Sequence, residues 1–595
     1  MFSLFSRIPL RASAVALAVM TAPVHALDVS LSAPDEIDDI LRGASAVFGA
    51  KNTGRTSPQE VLAAALSDYR TLVQVLYDQG YFSPVVRITL DGREAAQIPL
   101  ITPPSQVNAV RIDVTPGPAF RFGTARVAPL PTQTTLPEEF ASGALATTGL
   151  IRDATAAGRE AWRDGGHAKV AVGAQDISVN HANSELNADI TLVPGPRLTF
   201  GTLRVTSPSG VRAPAIQRIA ALPSGEIFSP AKVQKAGARL RRTGAFTSVA
   251  ITEADQPNPD GSLDFQVAVE DQLPRRITFG AEISSRTGLD LSAIWIHRNL
   301  FRAAERLRIE GRVRNIGGDQ EIDGLFSVRL DRPARLGGDN NLFYLGEIER
   351  IERPHYNMDR ALIGIGIRRV SSQYRFAEAA LTASIANASD AFGSRRFALV
   401  SLPMRAQFDR RDDRANPTRG AFAEATLTPF TGFGRNASGL GASIDARAYL
   451  SLTSSGSLVL AGRLQLGSVL GASLSDISPD LLFYSGGAGT VRGQPYQSLG
   501  IPVGTNTAGG RAMINASAEL RARVTQRISL VGFYDFGAVE DANFVTSASD
   551  RHSGAGFGLR YNIDGFGPIR LDLALPVDGN TGDGLQFYIG IGQAF

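Results

Sequence analysis

The chain has 595 residues, enough for several domains, and its 60 basic and 57 acidic residues leave a formal net charge of only +3. This near balance, without a long run of either sign, argues against nucleic-acid binding, which usually shows a clustered basic face. The absence of cysteine excludes disulfide bonds, thiolate metal sites and cysteine nucleophiles. Past the first thirty residues, no segment is apolar and long enough for a membrane-spanning helix.

The first 26 residues are predicted to be a secretory signal peptide. Arg7 and Arg11 provide the positive region, and the apolar run from Ala12 to Met20 is too short to span a bilayer. Val24 and Ala26 place small residues at the −3 and −1 positions of a cleavage site. We therefore expect export, with the mature protein beginning near residue 27.

Two sequence signatures recur in the N-terminal part at the same offset of 78 residues. A Pro-Gly-Pro tract recurs around Gly117 and Gly195, and a helix–glycine–strand pattern recurs around Gly166 and Gly244. A fixed period indicates an array of similar units. We predict three units, each with the order strand–helix–helix–strand–strand (βααββ), in an α+β arrangement. Their predicted boundaries are 27–115, 116–195 and 196–272.

From residue 273 to residue 595 the pattern changes to an alternation of apolar and polar residues. In one predicted strand, Ile514 and Leu520 share a face, and Glu519 and Arg521 share the other. Such strands form either a soluble sandwich or a membrane barrel, and the charged faces together with the signal peptide favour an all-β transmembrane barrel. At roughly twenty residues per strand and turn, this region predicts about sixteen antiparallel strands.

The sequence contains no recognisable catalytic or metal site. Its six histidines are scattered without the spacing of a zinc site, and no Gly-x-Ser-x-Gly nucleophile motif is present. We therefore predict no enzymatic activity, no catalytic residues, no metal and no cofactor.

Residues 482–500 form a long, glycine-rich loop between two predicted strands. Gly486 and Gly487 allow tight turns, and the tripeptide Val491-Arg492-Gly493 holds one cation between residues too small to crowd it. A loop of this length is usually either functional or disordered. The alternative interpretation is an ordinary extracellular loop of a barrel.

The alternation also predicts a partner for this cation. Asp535 lies on the lumenal face of its strand, and Glu519 lies on the polar face of the strand before it. A lumenal carboxylate needs a partner, and a long loop with one central arginine can fold inward to provide it. We predict that Arg492 pairs with Asp535, with Glu519 beside it; alternatively, these charges face water.

The last predicted strand has one apolar face. The residues Leu585, Phe587, Ile589, Ile591 and Phe595 form this face. The aromatic residue at its end resembles the C-terminal assembly signal of bacterial outer-membrane proteins.

Four motifs, taken in order along the chain, resemble the POTRA-bearing outer-membrane insertase superfamily that contains BamA, TamA and the two-partner secretion transporters. POTRA denotes polypeptide-transport-associated domains, which the three N-terminal units resemble in size and order. In related loops an aromatic residue directly follows Val-Arg-Gly, whereas here Gln494 and Pro495 precede Tyr496. The four motifs are Arg298–Phe301 with the following Glu305, Asp409–Gly420 (Asp-x-Arg-Asp…Pro-Thr-x-Gly), the loop motif Gly486–Gly493, and Phe533–Gly537.

The resemblance implies an outer-membrane barrel with POTRA domains in the periplasm. Three such units look most like the TamA branch, because BamA usually has five and two-partner transporters have two. The implied function is insertion or translocation of β-barrel or autotransporter-type proteins through a lateral seam between the first and last strands. The predicted seam residues are Ile277, Phe279, Gly590, Gly592 and Phe595, of which the glycines lack side chains to reinforce pairing.

The implied partners are a TamB-like protein anchored in the inner membrane and reaching the periplasm, unfolded outer-membrane protein clients, and outer-membrane lipid. Two alternatives remain open. One is a two-partner secretion pore for one dedicated exported protein, and the other is a passive porin-like channel.

Overall fold

The computed structural model describes residues 27–284, 288–318, 321–434, 437–563 and 567–595. The predicted signal peptide, residues 1–26, lies outside the described residues. The described residues divide into two compact units, one formed by residues 27–199 with 227–230 and the other by the described residues of 200–226 and 231–595. No helix in the described ranges is long and apolar enough to cross a membrane.

The first N-terminal sheet has the strand order β1-β4-β2-β3 and is covered by three helices. Its longest helix begins behind Ser57, whose hydroxyl oxygen accepts the Glu60 backbone N–H at 3.4 Å. Leu62, Leu72 and Ile112 are fully buried between helices and sheet. The elements are β1 (Asp28–Ser32), α1 (Asp35–Ala44), α2 (Ala46–Asn52), α3 (Pro58–Asp78), β2 (Val85–Leu90), β3 (Arg93–Glu94) and β4 (Ala109–Thr115).

The second and third sheets each have three strands, with the orders β5-β7-β6 and β8-β10-β9. The second contains β5 (Arg121–Ala128), α4 (Thr148–Asp164), β6 (Ala171–Asn180) and β7 (Glu185–Val193). The third contains β8 (Thr199–Val205), α5 (Ala213–Ala220), α6 (Pro230–Arg242), β9 (Phe246–Glu253) and β10 (Ser262–Asp271). These sheets confirm the predicted α+β character of the N-terminal part.

The three sheets differ in their helices. The third follows the predicted strand–helix–helix–strand–strand order element by element, whereas the first has one additional α-helix and one additional two-residue strand, β3. In the second, only α4 is helical between β5 and β6. The segment before α4 contains Pro129, Pro131 and Pro137, which lack a backbone N–H and disfavour a helix there.

The 78-residue repeat has a structural counterpart in the second and third sheets. The Asn187 side-chain oxygen accepts the Thr124 backbone N–H at 2.8 Å, and the Asp264 carboxylate accepts the Thr202 N–H at 2.7 Å. The residue before each of these threonines is a glycine, and a Cβ there would lie 2.5 Å or less from the accepting oxygen. The recurring Phe-Gly pair therefore allows a polar side chain to approach the first strand of each sheet.

The C-terminal part is one large antiparallel sheet, which forms the barrel wall. Its strands are β11 (Arg275–Ser284), β12 (Gly288–His297), β13 (Arg306–Ile316), β14 (Asp323–Pro333), β15 (Asn340–Arg353), β16 (Tyr356–Ser372), β17 (Arg375–Asp390), β18 (Gly393–Ser401), β19 (Met404–Asp409), β20 (Gly420–Gly432), β21 (Gly439–Ser451), β22 (Leu458–Leu470), β25 (Ala512–Arg523), β26 (Ile528–Glu540), β27 (Asp550–Ile563), β28 (Gly567–Asp578) and β29 (Gln586–Ile591). A two-stranded ribbon, β23 (Ile501–Val503) and β24 (Asn506–Ala508), lies in the connection between β22 and β25.

These seventeen strands occupy sixteen positions in the wall. Both β18 and β19 pair with β17 on one side and with β20 on the other. They are two halves of one strand, interrupted at Leu402 and Pro403 because proline cannot donate to the ladder. The predicted number of about sixteen strands is confirmed.

The barrel has its apolar side chains outside and its charges inside. Outward-facing Ile363, Leu530 and Phe587 are exposed, whereas Glu519 and Asp535 are almost fully buried on the inner face. This inversion of a soluble protein's pattern fits an outer surface covered by hydrocarbon and a polar lumen. Here "lumen" denotes the space enclosed by the inner faces of β11–β29.

The third sheet is attached to the barrel through a charged contact. Asp339, in the turn before β15, accepts two hydrogen bonds of 2.9 Å from the Arg239 guanidinium of α6. The Lys235 ammonium lies 2.8 Å from the same carboxylate. Because these cations favour the ionised carboxylate, they hold the pKa of Asp339 well below its usual range.

Candidate functional site

The connection between β22 and β25, residues 471–511, is the longest loop of the barrel. Strand β11 begins next to the third sheet, and β22 occupies the eleventh wall position and runs in the same direction, so the loop starts at the far end of the barrel. From there it returns into the lumen. Gly486, Gly487 and Gly493 have φ values of +113°, +92° and +90°, which other residues rarely adopt.

Arg492 lies at the tip of this loop and is 2 % exposed. Its Nε and Nη2 atoms donate to the two oxygens of Asp535 at 2.7 and 3.0 Å, and its backbone N–H donates to Asp535 at 3.0 Å. Its Nη1 atom donates to Glu519 at 2.7 Å. The structure thus brings Arg492 together with both carboxylates named from the sequence.

A third carboxylate joins the cluster. Asp572 on β28 accepts from Arg492 Nη1 at 3.3 Å and also contacts Arg560, while Glu519 is 2.7 Å from Arg521. Three carboxylates and three guanidinium groups therefore lie together in almost complete burial. The equal number of negative and positive groups matters because burying a charge without a partner costs far more free energy than burying a paired one.

The Arg492 side chain also lies on an aromatic ring. Its guanidinium carbon is 3.5 Å from the centroid of the Phe533 ring. The face of an aromatic ring attracts a cation, most strongly where water is excluded. Phe533 and Asp535 belong to the motif Phe533–Gly537, so two residues of this motif contact the loop tip from one strand.

The last residue of that motif makes room for the loop. A Cβ on Gly537 would lie 2.3 Å from Ser485 Oγ and 2.7 Å from a Val491 methyl group, far inside contact distance. On the next strand, a Cβ on Gly554 would lie 1.9 Å from the Arg492 carbonyl oxygen. Both positions need glycine because the loop backbone lies directly against the wall.

Gln494, one of the two residues that separate Gly493 from Tyr496, is itself an anchor. It is fully buried, and its Nε2 atom donates to the backbone oxygens of Ser553 at 2.8 Å and Asp578 at 3.1 Å. Tyr496 is 42 % exposed. An amide side chain therefore attaches the loop to the barrel wall next to Gly493.

Two further contacts were missed from the sequence. His552 Nε2 is 2.9 Å from Ser485 Oγ inside the lumen, and the Tyr588 hydroxyl accepts the Gly493 backbone N–H at 3.1 Å. Asp572 could have been found, because its position opposite Leu571 and Leu573 in the alternating pattern makes it lumenal. Nothing in the spacing of His552 or Tyr588 points to the loop.

The first and last strands are the two edges of the sheet. Strand β29 pairs with β28 over six residues, and β11 pairs with β12 over ten. Between β11 and β29, the described residues form no ladder, although the two strands contact each other. Ile277 and Phe279 are 61 % and 78 % exposed on the outer face of β11.

The prediction that Phe595 extends the outward apolar row of the last strand is wrong. Strand β29 ends at Ile591, and Gly592 with φ +89° turns the chain inward. Phe595 is 6 % exposed, packs on Tyr449 and Ala461, and its carbonyl oxygen accepts from Arg521 at 3.3 Å. Alternation alone did not reveal this turn, because glycine is compatible with both a strand and a bend.

Two other motifs form turns on the side of the third sheet. Glu305 is 1 % exposed and accepts the Ala303 backbone N–H at 2.9 Å in the turn after β12. Asp412 accepts the backbone N–H groups of Thr418 and Arg419 at 2.9 and 3.2 Å in the turn after β19. The described residues contain no group of three or more histidine, aspartate or glutamate side chains arranged to hold a metal ion.

Comparison with known proteins shows what the chain is similar to. The model of the Omp85 superfamily domain matches residues 344–595. The chain is similar in structure to BamA from Haemophilus ducreyi lacking POTRA domains 1–3, at 17% identity over 79% of this chain and 98% of that chain, with a TM-score of 0.63. It is also similar to CdiB from Acinetobacter baumannii, at 12% identity over 80% of this chain and 90% of that chain, with a TM-score of 0.48. The likeness to the former structure shows a shared fold.

Proposed function

We propose that the chain, whose residues 344–595 match the model of the Omp85 superfamily domain, is a POTRA-bearing member of that superfamily with its barrel in the outer membrane and its α/β domains in the periplasm, and that it is an assembly factor for outer-membrane proteins. It inserts or translocates β-barrel or autotransporter-type clients without enzymatic chemistry. The periplasmic domains receive the unfolded client, and the seam between β11 and β29 pairs with its strands.

The observation that carries this proposal is the seam. Strands β11 and β29 lie at the two edges of the sheet without a ladder between them in the described residues. A sheet edge presents unpaired backbone N–H and C=O groups that can pair with another extended chain. In a bilayer, such groups have no water to bind, so an incoming client strand would satisfy them.

The N-terminal sheets support client capture. Strand β6 is an edge of the second sheet and is exposed along nearly its whole length, with Ile177 47 % and Val179 37 % exposed. An exposed edge with apolar residues suits the addition of an extended client segment. We propose this edge as one capture point.

The partner implied by the three-unit arrangement is a TamB-like, inner-membrane-anchored protein that meets the periplasmic domains. The clients are unfolded outer-membrane proteins, and outer-membrane lipid surrounds the exposed apolar wall. A neighbouring gene for a TamB-like protein would favour this assignment. A neighbouring gene for one large secreted protein would favour a dedicated secretion pore instead.

The test is a disulfide across the seam. The chain has no cysteine, so cysteine pairs placed along Arg275–Ser284 and Gln586–Ile591 give unambiguous crosslinks. We expect the oxidised barrel to lose insertion of a model outer-membrane client into liposomes and to regain it on reduction.

The matched control is a disulfide between paired strands. Leu559 on β27 and Leu571 on β28 lie directly opposite each other in the ladder, and a Leu559→Cys/Leu571→Cys crosslink leaves the seam free. It should leave insertion unchanged. Full insertion by the seam-crosslinked protein would refute the proposed function, and conductance without any insertion activity would indicate a passive channel.

A further inference from the structure

The loop that carries Arg492 has a second attachment, made by its earlier part. Asp480 accepts a hydrogen bond of 2.8 Å from Arg360 Nη1 on β16. The other terminal nitrogen of Arg360 donates to Glu349 on β15 at 2.7 Å, which holds the guanidinium in place. Ser478 beside it is 4 % exposed, and its hydroxyl donates to Asp480 at 2.5 Å. This is a partly buried ion pair with its partners oriented, the kind that contributes measurably.

A histidine in the turn between β15 and β16 contacts the loop on both sides of Arg492. His355 Nε2 is 2.8 Å from the Gln497 carbonyl oxygen. Its ring stacks on Tyr484, with 5.3 Å between centroids and 16° between planes. The Tyr356 ring is also parallel to Tyr484, at 6.4 Å. Tyr484 is 8 % exposed, so this end of the loop is packed as well as hydrogen-bonded.

The two attachments lie on well-separated parts of the wall. Strands β15 and β16 are the fifth and sixth of the sixteen wall positions. The carboxylates that hold Arg492 come from β25, β26 and β28, the twelfth, thirteenth and fifteenth positions. About half of the barrel wall therefore separates the two groups of contacts, and residues 478–497 span the lumen between them.

We infer that residues 478–497 form a strut across the lumen, and that Arg360, Asp480 and His355 are positioning residues for Arg492. They do not touch the carboxylate cluster. They hold the loop from the opposite wall so that the tip stays against Glu519, Asp535 and Asp572. Without these side chains, Arg492 keeps its own contacts, but residues 478–497 lose their attachment to the opposite wall.

The strut also reaches the edge of the barrel. Its tip contacts Asp572 on β28 and Tyr588 on β29, the last two strands before the seam. A displacement of β28 and β29 away from the lumen would move the loop tip with them and would stretch the Asp480–Arg360 ion pair at the other end of the strut. This coupling to seam opening rests on the proposed function, whereas the strut itself rests only on the contacts.

Trypsin provides a direct readout in the full chain, because Arg492 is followed by Gly493 and is buried in the native loop. We expect cleavage after Arg492, followed by mass spectrometry, to be about tenfold faster in Asp480→Asn and His355→Ala than in the parent protein. The control is Asp476→Asn, an exposed acid in the same loop, which should leave the rate unchanged. Arg360→Gln combined with Asp480→Asn should be no faster than Asp480→Asn alone if the two side chains act as a pair.

A disulfide separates positioning from general destabilisation. Ser478 Oγ lies 3.9 Å from Met358 Sδ on β16, so Ser478→Cys with Met358→Cys can reattach the loop covalently. In the Asp480→Asn background, the oxidised form should regain protection of Arg492. Equal cleavage rates in parent, Asp480→Asn and His355→Ala, or exposure of Arg492 despite the disulfide, would overturn the strut.

Client insertion is measured separately on the same proteins. A released loop with normal insertion would retain the strut but remove its coupling to the seam. A seam disulfide without effect on insertion would refute the proposed function and leave the trypsin result standing.

Discussion

The two sides of strand β28 differ sharply. Toward β25–β27 its inner face is joined to the wall and to the loop tip by the cluster of Arg492 with three carboxylates. Toward the seam, its neighbour β29 has only six residues and has no ladder to β11 in the described part of the barrel. Buried ionic contacts join β28 to the wall on one side. On the other side, the edge strands β11 and β29 lie next to each other without a ladder in the described residues.

The difference teaches how a membrane barrel can combine a rigid wall with an opening. The hydrocarbon favours complete pairing everywhere, so a persistent gap in the ladder requires the rest of the wall to be well held. The loop tip supplies that support next to the gap. We therefore expect changes at the loop tip to lower the stability of the barrel strongly, and changes at the seam to alter strand pairing with little loss of stability.

The largest effect is expected from Arg492→Ala. Among the described residues it leaves the three buried carboxylates with ion pairs only to Arg521 and Arg560, and loss of one partner of a buried ionic cluster costs about 3–5 kcal/mol. The temperature at which the purified barrel unfolds, followed by heat-dependent gel migration, should fall clearly. Arg523→Ala, which removes an exposed cation from the end of β25, is the control and should have little effect. Equal stability of both variants would contradict the proposed role of the cluster.

Next is Gly537→Ala, which drives a methyl group into Ser485 and Val491. Forcing an added methyl group into a packed contact costs about 1–3 kcal/mol, so stability should fall and Arg492 should become more accessible to trypsin. Gly532→Ala on the same strand is the matched control, because its nearest neighbour, a Phe557 ring carbon, is at 4.0 Å. If the two variants behave alike, the loop does not lie against β26.

A smaller effect is expected at the end of the wall next to the third sheet, from Asp339→Asn. Because the folded-state pKa of Asp339 is lowered, its stabilising contact with Arg239 is fully present above the unfolded carboxyl pKa of about 3.9 and is lost as the pH falls further. The parent should therefore lose about 1–2 kcal/mol of stability between pH 5 and pH 2 that the variant lacks. Chemical unfolding of both proteins across this pH range measures it, and parallel curves would exclude the contact as a contributor.

The smallest change in stability is expected for Gly592→Ala at the seam. The added methyl group meets no atom within 4 Å, but φ +89° is unfavourable for alanine by about 1 kcal/mol. The variant should favour a straight continuation of β29, which moves Phe595 out of the lumen. A Phe595→Cys reporter in the otherwise cysteine-free chain should then react faster with a water-soluble maleimide. Unchanged labelling would mean that the inward turn does not depend on Gly592.

Much of the architecture could be predicted because it follows local rules. Period-two alternation located the barrel and its inner and outer faces, and the 78-residue period located the repeated glycine positions. The same alternation placed Glu519 and Asp535 on the inner face. Their meeting with Arg492 could be proposed because one isolated cation lay in a long loop beside two lumenal acids.

The remaining contacts depend on residues far apart in the chain. His355 and Gln497 are separated by 142 positions, and Arg360 and Asp480 by 120. No periodicity connects such pairs, since each lies in a segment whose local pattern is satisfied without the other. The inward turn after β29 also depends on distant residues. Gly592 can adopt a strand or a turn conformation, and the pocket that receives Phe595 selects the turn.

By itself, therefore, the sequence determined what repeats along the chain: three α/β units, sixteen strand positions, an apolar outside and a charged inside. Only the tertiary structure decided which residues of the lumen the 471–511 loop contacts and how completely the first and last strands of the barrel pair. The physical reason is that alternation specifies the face on which a side chain lies, whereas the burial of Arg492 among three carboxylates and the incomplete pairing of β11 with β29 depend on which faces the closed sheet brings together.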